Sequence, residues 1–312
     1  MKNRFVDVSA LWKRQEKRAY QWVKQWMQNH EGESLSRHQN MLQAYLAGQE
    51  DVVHLGSYLG YLRHDYFMAF VHGALCAGEL RWEEFARAAR FGLASLLVQA
   101  TPDEKGEVKF CPWSTAALVF ALQAIAGWQD ETRLLFTVLH RGMDTNLLDM
   151  HGTPPLEQVH LYFLLLLGAE YFGQPIDPSK YIPEPERMQV YSAALAHWRS
   201  TDLDRVQRCI EDLAEDHVRN TVSTAPGADA AFELEYEWVF PYEILTYLRF
   251  REWAGLPNPE HFAHPLLHTP LAVLPKAPLP WPALPELDQA IAKFRRERPQ
   301  QNYFDQLPPH TV

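Results

Sequence analysis

The sequence predicts an all-α fold: an irregular bundle or short superhelix of antiparallel helical hairpins, closed by a C-terminal proline-rich strap. Three observations predict it. Apolar residues recur at three- and four-residue steps nearly end to end, as expected for helices that each bury one face. No run alternates apolar and polar residues for long enough to make a strand. Nine prolines crowd the stretch from Pro257 to Pro285. That is too many for a helix, and the leucines, Phe262 and Trp281 among them need a surface to lie on.

In the first helix Phe5, Val8, Leu11, Trp12, Ala19, Trp22, Val23 and Trp26 mark the apolar face. Lys13, Arg14, Lys17, Arg18 and Lys24 decorate the remainder. Gly32 stops it, and Ser34 or Ser36 is expected to cap a second helix reaching Gly48. A long helix is expected over Asp51–Ala77, where Gly56-x-x-x-Gly60 permits a neighbour to approach closely. A return helix covers Trp82–Ala100, and Thr101–Lys109 is a polar loop. Pro112 sits where a first-turn proline is tolerated and opens a helix through Trp128. Asp130 is expected to cap the next, which Gly142 ends.

Asp149–Pro155 reads as a turn. Leu156–Phe172 is apolar nearly all round and reads as the central buried helix. After the loop Gly173–Pro185, helices resume at Glu186–Arg199 and Asp202–Arg219. Val222–Asp229 is small and polar, the composition of a mobile loop. The last long helix, Ala230–Ala254, contains Pro241, which must kink it or divide it in two. A short helix at Glu286–Arg298 closes the fold. Residues 1–312 read as a single all-helical domain, whose natural sub-division is into N-terminal helices (1–150) and C-terminal helices plus strap (151–312).

Composition narrows the function. Hydrophobic residues are 47% and charged residues 22%, a globular balance and not a disordered one. The longest apolar stretch, around Leu161–Gly168, is far shorter than the roughly 20 residues that span a bilayer. The N-terminus lacks the apolar core of a secretory signal, so residence in the cytoplasm is expected. Cys76, Cys111 and Cys209 are far apart with no CxxC pair, and read as buried inert thiols. The formal net charge of −10 disfavours nucleic acid and membrane as partners and favours something basic.

No constellation carries chemistry. Glu157-x-x-His160 has the spacing that puts two metal ligands on one helix face, and Asp51-x-x-His54 is a looser copy. A di-metal bundle also needs carboxylates from two further helices, and none stands on an apolar face. Glu157 in a first turn is accounted for by the helix dipole. His264 and His268 are separated by Pro265, and the commonest nucleotide, zinc-protease and hydrolase motifs do not occur. The expectation is a protein without catalytic residues, metal or cofactor.

Charge distribution says more. Residues 1–30 carry seven basic groups against two acidic ones. Residues 200–243 carry eleven acids against three arginines. Two solvated helix faces of opposite sign that face each other is one reading. The other is a docking surface for a basic partner, since clustered charge speeds encounter and selects orientation. Its candidate partner-binding residues are Asp204, Glu211, Asp212, Glu215, Asp216, Asp229, Glu233, Glu235 and Glu237, with Tyr236 and Trp238 as aromatic anchors.

The stretch DLDRVQRCIEDLAEDHVRNT, followed by FELEYEWVFPYEILTYLRFREWAGLPNPEHFAHPLL, resembles the all-helical immunity proteins of bacterial polymorphic toxin systems, including those paired with type VI secretion effectors. The resemblance spans roughly residues 155–275. It consists of an acidic helix, then Phe240, Glu243, Ile244, Leu245 and Arg249, a Gly255-Leu256 stop, and a strap containing His264-Pro265. Pro241 and the length of the strap depart from the pattern. The resemblance implies inhibition by direct, stoichiometric binding to a toxin domain. A nuclease, with the basic cleft that phosphate backbones require, is the most economical partner. The competing classes are a peptide-binding scaffold of helical repeats, which predicts a period of about 34 residues that is not evident, and a metal-dependent bundle enzyme.

Overall fold

The computed structural model describes residues 7–30, 32–148, 156–177, 185–221, 232, 234–299 and 303–308. Among them are eleven α-helices and no strand. The protein is all-α. In chain order the helices are α1 (Val8–His30), α2 (Glu33–Leu46), α3 (Leu55–His72), α4 (Trp82–Ala100), α5 (Trp113–Ala126), α6 (Gln129–Gly142), α7 (Leu156–Phe172), α8 (Pro185–His197), α9 (Leu203–Arg219), α10 (Tyr242–Trp253) and α11 (Pro285–Glu297). A π-helical turn over Gly73–Ala77 prolongs α3, so the long helix expected over 51–77 is an α-helix with irregular ends.

Neighbours in sequence pack as hairpins, α3 on α4 most extensively, with α2 on α3, α4 on α5 and α8 on α9 following the same rule. Close approach of α3 and α4 rests on the two small residues singled out above. A Cβ at Gly56 would stand 3.1 Å from Gln99, and the Ser95 hydroxyl donates to the Gly56 carbonyl at 2.7 Å. Helices from the two ends of the chain interlock. α5 is packed by α4, α6, α7 and α10, and α1 lies against α3 and α9.

The centre differs from the sequence expectation. α7 is largely buried, but α5 and α10 are enclosed more completely: every residue from Ala116 to Ala126 and from Tyr242 to Arg251 is inside. α5 achieves this by being apolar all round but for Gln123, whose amide donates to the Ala89 carbonyl at 2.8 Å. α10 buries Glu243, Thr246, Arg249 and Arg251, each of which needs a partner to be tolerated there. The Arg249 guanidinium donates to the carbonyls of Ile125 (3.2 Å) and Pro275 (2.9 Å) and pairs with Glu252 at 2.6 Å. Arg251 donates to the carbonyls of Trp198 and Pro257 and to Asn258.

Those two arginines also fasten the strap. Prolines donate no N–H, so the strap's carbonyls must find donors on the body of the protein. Arg249, Arg251 and Arg90 supply them, together with the Trp128 indole, which reaches Leu279 at 2.8 Å. Gly127 ends α5 at φ +82°, and a Cβ there would stand 2.9 Å from Pro278 Cα.

Several boundaries are corrected. Pro241 divides the expected long helix: a short 3₁₀ turn, Glu237–Val239, precedes it, and Pro241 is the N-cap of α10. Gly32 at φ +75°, not a serine, caps α2, because the Ser34 hydroxyl is engaged with Asp65 at 2.9 Å. Asp130 lies in the first turn of α6, whose cap residue is Trp128. A 3₁₀ turn, Pro265–His268, forms where no helix was expected, with His264 Nδ1 accepting from the Leu266 N–H. The loops expected at Asp149–Pro155 and Val222–Asp229 lie outside the described residues. No helix among the described residues is long and apolar enough to cross a membrane.

Candidate functional site

Four of the acids singled out in the sequence meet in one place. Glu211, Asp212, Glu215 and Asp216 project from α9 into an open groove of about 600 Å3, whose opposite wall is the strap at Ala263–Pro265. α9 is strongly amphipathic. Val206, Ile210, Leu213 and Ala214 face inward, so residues in phase with Asp204 must face outward. Asp202 caps the helix, accepting from the Arg205 N–H at 3.2 Å.

The acids are not equivalent. Glu211 accepts from the Ala263 N–H at 2.9 Å and from the Gln207 amide at 3.1 Å, so it staples the strap to α9. Glu215 pairs with Arg219 at 2.6 Å and stands 4.0 Å from His264. Burial pushes the Asp216 carboxyl up, against hydrogen bonds from Tyr191 and Asn220. Burial likewise holds His264 below its ordinary value, with Glu215 opposing. Asp204 and Asp212 are exposed. Arg205, Arg208 and Arg219 stand on the same helix and dilute its field.

The second half of the acidic segment turns inward. Tyr236, Glu237 and Trp238 are buried, with 1%, 3% and 4% of their surface exposed. Tyr236 and Trp238, expected as aromatic anchors for a partner, are thus corrected to core residues. The chain here is a 3₁₀ turn threaded between helices, and Tyr236 meets Trp22, His64 and Phe67, while Phe240 meets Phe67 and Phe85. Glu235 is half-buried and paired with Arg18 at 3.1 Å, and that guanidinium lies over the Trp238 ring. The basic and acidic segments therefore do touch, through this ion pair, the Trp22–Tyr236 contact and the Gln15 amide on the Val218 carbonyl. Asp229 and Glu233 lie outside the described residues.

Beneath the groove is a buried polar cluster that sequence reasoning did not assemble. Glu243, in the first turn of α10, is 1% exposed and accepts from His217 Nδ1 at 2.8 Å. His217 Nε2 faces the Glu237 carbonyl at 3.1 Å, so both ring nitrogens point at acceptors. Burial alone would push the Glu243 carboxyl up, but His217 and His160 together hold it below its ordinary value. His160, from α7, shares a hydrogen bond with the Tyr242 hydroxyl at 3.2 Å. Its Nε2 lies 3.8 Å from Glu243 Oε2, and among the described residues neither atom has a hydrogen-bond partner. Burial lowers His160 to about 4, with Glu243 opposing. The signal for this cluster was present: His217 lies on the apolar stripe of α9, four residues beyond Leu213, where a histidine needs a buried acceptor.

The metal candidates resolve elsewhere. His160 faces Glu243, Asp51 caps a 3₁₀ turn by accepting from Val53 N–H at 2.9 Å, and His54 stacks on Tyr58. Among the described residues no group of three or more His, Cys, Asp or Glu is arranged to hold a metal ion. Cys111 and Cys209 are buried and Cys76 half-buried, and desolvation raises all three thiols, Cys111 to about 12. Ser34, His38 and Asp65 gather, but both Ser34 and His38 bond the Asp65 carboxylate, and His38 Nε2 faces Arg37 instead of the serine. That is not the order a nucleophile requires. The chain matches no protein-family model, no curated protein and no solved structure.

Proposed function

We propose that this chain is an immunity protein, acting in the cytoplasm to neutralise a cognate secreted bacterial toxin by stoichiometric binding without turnover. The observation that carries the reading is the groove. The two ends of the pattern that resembles the immunity proteins, the acidic helix and the His264-Pro265 strap, come together there as its two walls. The residues between them are those that hold the walls in register: Glu243 under α9, Arg249 on the strap carbonyl of Pro275, and Gly255 at φ +70° at the stop. An open acidic groove on a rigid helix accepts the basic side chains that line a nuclease cleft, and close charge pairs of this kind add affinity and orientation.

The test is to look for a toxin domain encoded beside this chain's gene and to co-express the two. Asp204→Lys, Asp212→Lys and Glu215→Lys combined should abolish protection and weaken binding by at least about tenfold, with an unchanged melting curve. Undiminished protection by that folded variant would remove the groove from the interface. Absence of any complex between the wild-type protein and the toxin would remove the reading itself.

A further inference from the structure

Among the described residues, α1 gathers positive charge that no ion pair neutralises. Lys13, Arg14, Lys17 and Lys24 are exposed, and none of them forms an ion pair among the described residues. Lys13, Lys17, Tyr20 and Lys24 follow the i, i+4, i+7, i+11 rule and form one ridge about 16 Å long. Arg14, Arg18, Gln21 and Gln25 form a second ridge beside it by the same rule. Glu16 is the one acid on the helix, and it projects to the side of the first ridge away from the second. The opposite face is already committed: Leu11, Trp12, Ala19 and Val23 are buried, and the Gln15 amide donates to the Val218 carbonyl at 2.9 Å.

Intramolecular packing gives no reason for this pattern. Lysines four apart repel each other and weaken the helix that carries them. Solubility does not need them, because the residues after position 30 carry 22 basic groups against 37 acidic ones. Tyr20, 41% exposed at the centre of the lysine ridge and hydrogen-bonded to Cys76, adds a partly exposed aromatic of the type that anchors interfaces. We propose that the outer face of α1 is a docking surface for an acidic patch on a partner protein. The charge of the rest of the chain selects that class over extended polyanions. A duplex or an anionic membrane reaches past the helix and meets the acidic remainder, whereas a compact patch interacts within the screening length of about 8 Å. The inference stands independently of the immunity reading.

A glutamate-rich helical peptide is the probe, with a 20-base-pair duplex and phosphatidylglycerol vesicles as comparators. The wild-type protein should bind the peptide more tightly than either comparator, with affinity falling steeply between about 50 and 300 mM salt. Lys13→Glu, Lys17→Glu and Lys24→Glu combined should weaken peptide binding at least about tenfold. Arg205→Glu, Arg208→Glu and Lys276→Glu make the same change in net charge elsewhere and should leave it within about twofold. Tyr20→Ala should weaken binding without altering the salt slope. Equal losses in the two triple variants, absence of peptide binding, or tighter binding of duplex or vesicles would each overturn the proposal.

Discussion

The two halves of the acidic segment look alike in sequence and are opposites in the structure. From Asp204 to Glu215 the acids ride the outer face of an amphipathic helix, with Asp216 half-buried at its edge. From Glu235 to Glu243 they sit among aromatics, and two of them, Glu237 and Glu243, are inside the protein. Both stretches are rich in carboxylates, so charge counting scores them as one surface. What separates them is the company of each acid. On α9 the apolar residues fall in a stripe, leaving the acids a face of their own. Around Tyr236 to Tyr242 aromatics occupy most positions, so no polar face remains and the carboxylates must follow the chain inward and find partners.

Glu243 tests this contrast most severely. Its removal leaves His217, with acceptors on both sides, beside an empty place in the core. Breaking one side of a buried pair typically costs about 3–5 kcal/mol. Glu243→Ala should therefore lower the chemical-denaturation stability by that amount, while Asp212→Ala should stay within about 0.5 kcal/mol. Comparable small effects for both would mean that Glu243 is solvated and that the inward half is not a core.

Acid sensitivity sharpens the same point. His160 and His64 are lowered to about 4 and about 3, each chiefly by burial, so both are neutral in the folded protein down to those values. In the unfolded chain they take up protons near 6.5. Between pH 6.5 and 4 the unfolded state binds more protons, so stability falls as pH falls. At pH 5 each histidine should contribute about 2 kcal/mol of destabilisation relative to pH 7. The lowered Glu243 works in the same direction at still lower pH. A series of urea melts from pH 7 to 5 measures the slope, and His160→Gln should flatten it by one group's share even if it is less stable at pH 7. An unchanged slope in that variant would show His160 to be solvent-accessible.

Gly127 probes the strap. Alanine there takes on an unfavourable φ and drives its Cβ to 2.9 Å from the backbone of Pro278. Gly127→Ala should cost about 1–3 kcal/mol and make the strap the first site of limited proteolysis. Alanine at Gly173, which also has a positive φ but meets nothing within 4 Å, should cost less.

How much of this was legible follows from the same physics. α4 and α7 were placed to the residue, because their apolar patterns are long and turn residues or a proline-rich loop bound them. α10 was not recognised as a central helix, because Glu243, Arg249 and Arg251 interrupt its apolar pattern. Only the distant carbonyls of Ile125, Pro275, Trp198 and Pro257 show that these charges are satisfied inside. Local propensity cannot see partners that far away. For the groove, the acidic face of α9 was readable from periodicity, but its second wall depends on where the strap returns, and nothing local encodes that. The placing of Tyr236 and Trp238 on the surface failed for the same reason: their cover comes from α1 and α3.

The smallest effect separates acids within the groove itself. Glu211 and Asp212 are adjacent on α9 and equal in charge, yet only Glu211 holds the strap, through the Ala263 N–H at 2.9 Å. A charge-assisted hydrogen bond to a backbone amide that remains partly wet contributes about 1 kcal/mol net. Glu211→Gln keeps an acceptor and should lose less than half of that, Glu211→Ala should lose about 1 kcal/mol, and Asp212→Ala should change stability by less than about 0.5 kcal/mol. Hydrogen exchange at the Ala263 amide gives the direct reading: faster in Glu211→Ala, unchanged in Asp212→Ala. For binding of the proposed toxin partner the order should invert. Asp212 forms no ion pair among the described residues, whereas Glu211 has already committed one oxygen to the strap. If Glu211→Ala weakened the complex more than Asp212→Ala while leaving the Ala263 amide protected, the groove would be recognising its partner through the stapling carboxylate, and the division between holding and binding residues drawn for α9 would be wrong.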